Sequence, residues 1–259
     1  MFIIKFEMTH GLLQMHNYQT SQLFLLGLLS LLFLGCSSKL TTTTMTETKP
    51  VVATVITQEQ QNTLTPDYVI SWLKAGNQRF VSGVVTNRDH SEQVRLAALG
   101  QYPKSIILSC IDSRVPIEDV FDLGIGDVFV ARVAGNFENT DILGSMEYAC
   151  KVAGSKLVLV LGHEQCGAIK SAVDGVKLGN ITSMLENIQP AVHHFDNYEG
   201  NKTSKNKEFV HMVAEQNVWD TIENIRLYSP ILREMEKSGQ IKIIGGMYDM
   251  NTGVVHFYD

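Results

Sequence analysis

SIILSCIDSR, residues 105–114, and LVLVLGHEQCGA, residues 157–168, decide the fold. Each begins as a short apolar run without polar alternation. A strand buried on both faces of a parallel sheet reads this way, whereas a half-exposed strand alternates. Each run then breaks into residues that can hold a metal or move a proton. The first break carries Cys110, Asp112, Ser113 and Arg114, and the second carries His163, Glu164, Gln165 and Cys166. In open α/β sheets ligands bind beyond the carboxyl ends of the strands, so both breaks fall where a site is expected.

Further strands are predicted outward from these two. Residues 128–133 (VFVARV) follow the turn Gly124-Ile125-Gly126-Asp127, residues 241–244 read IKII, and residues 254–258 (VVHFY) form a last strand on an edge. Helical patterns lie between. Thr65-Pro66-Asp67 offers an N-cap, a proline at the first helical position and an acid in the first turn. Tyr68, Trp72, Leu73 and Phe80 then recur at helical spacing up to Gly83. Residues 88–99, 141–152, 168 onward and 209–232 continue the series, with a polar loop at 193–207. Strands alternating with helices predict an α/β fold: a mainly parallel sheet of four to five strands flanked by helices.

The chain has 259 residues, 44% apolar and 19% charged, which suits one globular domain with an excess at one end. The net charge is −6 and no stretch forms a basic stripe, so nucleic acid is not an expected partner. Of the four cysteines, Cys150 sits in an apolar helical pattern and reads as a small buried hydrophobe. Residues 23–34 (LFLLGLLSLLFL) are too short to span a bilayer and have the length of a signal-peptide core. Gly35-Cys36-Ser37-Ser38 follows, which resembles a bacterial lipoprotein signal with Cys36 as the lipidated residue; an ordinary secretory signal or an uncleaved anchor is the alternative. The expected organisation is a lipoprotein-type signal at 1–36, a flexible Thr-rich tether at 37–63 and a catalytic domain at 64–259. The protein is then exported, periplasmic or lipid-anchored, touching the membrane only through that anchor.

Cys110 and His163 end two different strands, and Cys166 lies three residues past His163. A His-x-x-Cys pair on a turn can chelate one ion, and a neighbouring strand end can supply a third ligand. Thiolate plus imidazole favours Zn²⁺, and three protein ligands leave the fourth position open, as catalytic zinc requires. Spacing alone leaves two other readings: a Cys110–Cys166 disulfide, or ordinary core residues. Asp112 can reach the open side of such a metal. Arg114 can grip it by a bidentate hydrogen bond, keeping it ionised and off the ion. Without that grip Asp112 becomes a fourth ligand. A plain ion pair at a turn is the alternative.

Cys-x-Asp-Ser-Arg followed by His-x-x-Cys-Gly resembles the signature of the β-class carbonic anhydrases, over roughly residues 65–259. The resemblance implies one Zn²⁺ per subunit on Cys110, His163 and Cys166, with Asp112 and Arg114 as the catalytic dyad. Arg132-Val133-Ala134-Gly135-Asn136 resembles the family's Arg-x-x-x-Asn segment. Gln101, in Gly-Gln-x-Pro, matches the substrate-orienting glutamine. Phe129 and Tyr148 match the aromatic wall, and Ala134 and Gly167 match small pocket residues. The implied activity is reversible hydration of carbon dioxide to bicarbonate and a proton, by a zinc-bound hydroxide that the dyad aims at CO₂. Much of the family's wall comes from a neighbouring subunit, which implies a homodimer or homotetramer. Some members carry a Trp for a second bicarbonate site where this chain has Ile107, so the open form, with water on zinc, is expected. Two rival functions remain: a COS or CS₂ hydrolase on the same scaffold, and a non-enzymatic zinc- or redox-sensing lipoprotein. His90, His193, His194 and His211 are candidate proton shuttles by residue type only.

Overall fold

Five strands form one sheet in the order β2-β1-β3-β4-β5. They are β1 (Ser105–Ser109), β2 (Val128–Arg132), β3 (Leu157–His163), β4 (Lys242–Tyr248) and β5 (Val255–Tyr258). All neighbours are parallel except β5, which pairs antiparallel with β4 on the edge. The computed structural model describes residues 54–258. The expected signal peptide, Cys36 and most of the tether lie outside the described residues.

The helices are α1 (Gln58–Asn62), α2 (Pro66–Val81), α3 (His90–Ala97), α4 (Ile117–Val120), α5 (Thr140–Glu147), α6 (Gly167–Val173), α7 (Gly179–Glu186), α8 (Gln189–His193), α9 (Lys207–Tyr228) and α10 (Pro230–Lys237). A π turn, Tyr148–Val152, extends α5. The N-cap read from sequence is in place: the Thr65 side chain accepts from the Tyr68 N–H. The last residues of the expected tether are structured. Thr57 and Gln60 close a capping box on α1. Buried Gln61 then donates to the carbonyls of Pro103 (2.7 Å) and Ala153 (2.8 Å), which ties α1 to the sheet's lower loops. No described helix is long and apolar enough to cross a membrane.

β1 and β3 explain their own unbroken apolarity. Ile106, Leu108, Val158 and Val160 face a core built with Val213, Val218 and Ile222 of α9. Ile107, Leu157, Leu159 and Leu161 face a second core with Leu73 of α2 and Ile117, Val120 and Phe121. Gly162 and Gly245 let α9 lie close, since a Cβ there would stand 2.7 and 2.8 Å from the methyls of Val218. From β1 the chain runs out to β2 on one side, then returns past β1 to β3 on the other and on to β4. This change of direction opens a crevice at the carboxyl ends of β1 and β3.

Candidate metal centre

Ser109, the last residue of β1, is in register with Leu161 of β3, so Cys110 arrives level with Gly162 and beside His163. Gln165 takes a left-handed φ of 56°, and that turn brings Cys166 back as the residue preceding α6. Donor atoms of Cys110, His163 and Cys166 lie within 4.8 Å of one another, and all three side chains are buried. The two Sγ atoms are 3.9 Å apart and both thiols are free. A disulfide needs about 2.05 Å, so the Cys110–Cys166 bridge weighed from sequence is not the state seen.

His163 supplies the test of a metal fit. Its Nδ1 lies 2.9 Å from the Glu164 carbonyl. A carbonyl only accepts, so this contact assigns the proton to Nδ1 and leaves Nε2 as a lone pair. That Nε2 is buried and has no hydrogen-bond partner. A buried, unpaired acceptor beside two sulfurs is costly unless a cation completes it. The donor set, two sulfurs and one imidazole nitrogen, fits Zn²⁺. A hydrogen bond from the Cys166 thiol holds the Cys110 thiol well below its ordinary value against burial, with help from the Gly135 N–H. The same contact and burial push Cys166 up.

Asp112 stands at the open side, its Oδ2 3.9 Å from His163 Nε2. Arg114 grips it three times: from its backbone N–H to Oδ1 (3.0 Å), from Nε to Oδ1 (2.9 Å) and from Nη2 to Oδ2 (2.8 Å). These bonds hold the Asp112 carboxyl down at about 2, against the opposing effect of burial. Arg132 fixes the backbone beneath them, donating to the carbonyls of Cys110 (2.8 Å), Asp112 (2.7 Å) and Val115 (3.2 Å).

The other residues singled out divide into two groups. Ala134 and Gly167 adjoin the centre: Ala134 precedes Gly135, whose N–H reaches Cys110 Sγ at 3.4 Å, and Gly167 follows Cys166. Gln101, Phe129 and Tyr148 lie at the opposite end of the sheet. Phe129 is in register with Ile106, four residues before Cys110, which at strand rise is about 13 Å away. Tyr148 packs edge-on against Phe129 at 6.2 Å, and Gln101 lies in the exposed loop that enters β1. Within one chain these three do not meet the Cys-His-Cys set. Phe129 and Tyr148 line an open apolar hollow of about 750 Å³ with Ile106 and Ile142. Among the histidines, His211 stands between Glu164 (3.9 Å) and Glu215 (3.8 Å), while His193 and His194 are exposed. Sequence reading missed Asn217, a buried α9 residue that donates to the Gly135 carbonyl at 2.8 Å.

Residues 105–255 match the family model described as carbonic anhydrase. Carbonic anhydrase 2 of Mycobacterium tuberculosis is 34% identical over 193 residues, covering 71% of this chain and 90% of that protein. The carbonic anhydrase of Mycolicibacterium smegmatis is 32% identical over 195 residues, covering 72% and 91%. Among solved structures, one of the tetrameric β-carbonic anhydrases of Sordaria macrospora superposes with a TM-score of 0.58 at 25% identity, covering 74% of this chain and 95% of that one.

Proposed function

The chain belongs to the carbonic anhydrase family, in its β class, and from that premise we propose that it hydrates CO₂ reversibly at a zinc ion held by Cys110, His163 and Cys166. The observation that carries the metal assignment is the unpartnered, buried Nε2 of His163 beside two free thiols. When bound, zinc would supply the Lewis acidity that makes a water nucleophilic near neutral pH.

The chain's own residues then do the positioning. Asp112, kept ionised by Arg114, is an acceptor only, so it takes a hydrogen bond from the reacting water and turns a water lone pair toward the substrate. The three bonds from Arg114 hold that carboxylate in one orientation, and Arg132 keeps the loop beneath it from shifting. Ala134 and Gly167, small residues next to Gly135 and Cys166, would border the space that a small, linear, uncharged substrate takes.

The far placement of Gln101, Phe129 and Tyr148 supports a shared site. We propose that a second copy brings these three to the centre, in a dimer or tetramer; the Sordaria macrospora relative is named as tetrameric. Export, and lipidation at Cys36, are proposed from the apolar run at 23–34 and the Gly-Cys-Ser-Ser that follows. Mass spectrometry of the mature N-terminus checks this, and a non-lipidated terminus upstream of residue 36 would overturn it.

Stopped-flow CO₂ hydration with parallel zinc analysis tests the catalytic reading. Stoichiometric zinc and a rate that collapses in Asp112→Ala are expected. Wild-type protein without zinc, or an Asp112→Ala variant at near wild-type rate, would overturn it.

A further inference from the structure

We propose that Asn217 is a positioning residue for the metal centre: it fixes the Gly135 peptide so that the Gly135 N–H stays aimed at the Cys110 sulfur. The inference rests on the reading of Cys110 as a metal ligand.

Gly135 takes a φ of +90°, and a Cβ there would stand 2.5 Å from the Ile188 side chain, so the position requires glycine. Glycine by itself does not hold one conformation. Within the loop the Asn136 N–H, on the same peptide as the Gly135 carbonyl, donates to the Val133 carbonyl at 3.0 Å, and a second constraint comes from outside the loop. Asn217 Nδ2 donates to the Gly135 carbonyl at 2.8 Å, while the Gly135 N–H on the other side of the same Cα reaches Cys110 Sγ at 3.4 Å. One residue thus carries an anchored carbonyl and a sulfur-directed N–H.

The anchor is itself rigid. Asn217 is 3% exposed, and its neighbour Val218 is seated on Gly162 and Gly245. Gly162 directly precedes the ligand His163 on β3. The height of α9, the end of β3 and the bend at Gly135 are therefore set together. One turn further along α9, Thr221 and Asn224 stand beside the Glu138 carboxyl in the same loop. The polar stripe of α9 reaches the loop at two points, and of the two only Asn217 bonds the residue whose N–H faces the sulfur.

An N–H directed at a ligating thiolate orients it and moderates the charge it donates. Losing such support around a metal ligand weakens metal binding by about 10–100-fold. The experiment compares wild type, Asn217→Leu and Thr221→Val. Leucine keeps the branched shape, in a somewhat larger volume, and removes the donor. Thr221→Val removes an α9 hydroxyl that stands beside Glu138 in the same loop without touching Gly135. Zinc affinity is measured by competition with a chromophoric chelator, and Co²⁺ substitution reports the sulfur-to-cobalt absorption band.

Asn217→Leu is expected to bind zinc about 10–100-fold more weakly and to shift the cobalt band, with Thr221→Val within about twofold of wild type. Equal zinc affinity in Asn217→Leu and wild type, or an equal loss in Thr221→Val, would overturn the proposal alone. Wild-type protein that binds no zinc would overturn the metal reading and the proposal together. Should Asn217→Leu not fold, Asn217→Ser loses the same bond with a smaller side chain and makes the same comparison.

Discussion

Asp112 and Arg114 form a unit because they are two residues apart on one turn, which lets a backbone N–H and a guanidinium close on the same carboxylate. Arg114→Ala is expected to lower kcat/KM by on the order of 10²-fold, the low end of what a positioned proton-handling group contributes. Steady-state CO₂ hydration checks it, with zinc content unchanged because Arg114 bonds no ligand side chain. The same turn explains what could be read in the sequence. Cys110, Asp112, Arg114, His163 and Cys166 stand at the breaks of two apolar runs, where a change of residue type is visible along the chain. Asn217 and Glu138 could not be found that way. Their partners are remote in sequence, and each looks like an ordinary polar residue at its own position. Glu138 nevertheless has a measurable consequence. Burial raises its carboxyl to about 7, above its unfolded value. The folded state therefore binds the extra proton, and stability falls as pH rises from the ordinary carboxylate range through about 7. Glu138→Gln should remove this slope and stabilise the fold at pH 8 by on the order of 1 kcal/mol after solvent screening. Urea denaturation at pH 5 and pH 8 checks it, and an unchanged slope would refute it.

Among elements, the strands were the most legible, because burial on both faces leaves a run of aliphatic residues with no alternation to confuse. α7 and α8 went unread for the opposite reason. They are short, and the residues before them, Leu178 and Ile188, make no side-chain cap bond. α1 reads as tether in the sequence because its one buried side chain, Gln61, is polar and bonds to loops far along the chain. The connection between α2 and α4 is similarly hidden. Asp122 accepts from Arg79, Arg88 and Thr86, and so joins α2 and the segment before α3 to the turn after α4. Burial raises its carboxyl, but Arg88, Arg79 and Thr86 outweigh that and hold it down at about 2. Its contribution to stability is thus complete above the unfolded carboxylate value and lost as pH falls through about 2. Asp122→Ala leaves Arg88, whose side chain is 11% exposed, without its anion, and should destabilise the fold by about 3–5 kcal/mol. The midpoint of urea unfolding at pH 7 checks this, and a loss under about 1 kcal/mol would show the arginines finding other partners.

At the scale of the whole molecule, the centre and its expected wall lie at opposite ends of the same sheet. This is the feature that sequence could place only by resemblance, since a residue's end of a strand is legible but its neighbour in another copy is not. β2 is an edge strand, and the apolar hollow over it exposes Phe129 and a half-exposed Tyr148. An open edge with an apolar face is a pairing surface unless something covers it. A second copy seated there would cover the edge and bring Phe129 and Tyr148 within reach of the other chain's Cys110. Phe129→Arg separates these consequences from simple damage to the metal site. Phe129 lies about 13 Å from its own Cys110 at strand rise, so zinc content should not change. A buried charge at the pairing face should give a monomer in sedimentation velocity, and a rate of CO₂ hydration lower by on the order of 10²-fold, because the substrate is no longer held in place. A monomeric variant with full activity would show that one chain completes its own site, and a dimeric variant with full activity would place the pairing surface elsewhere.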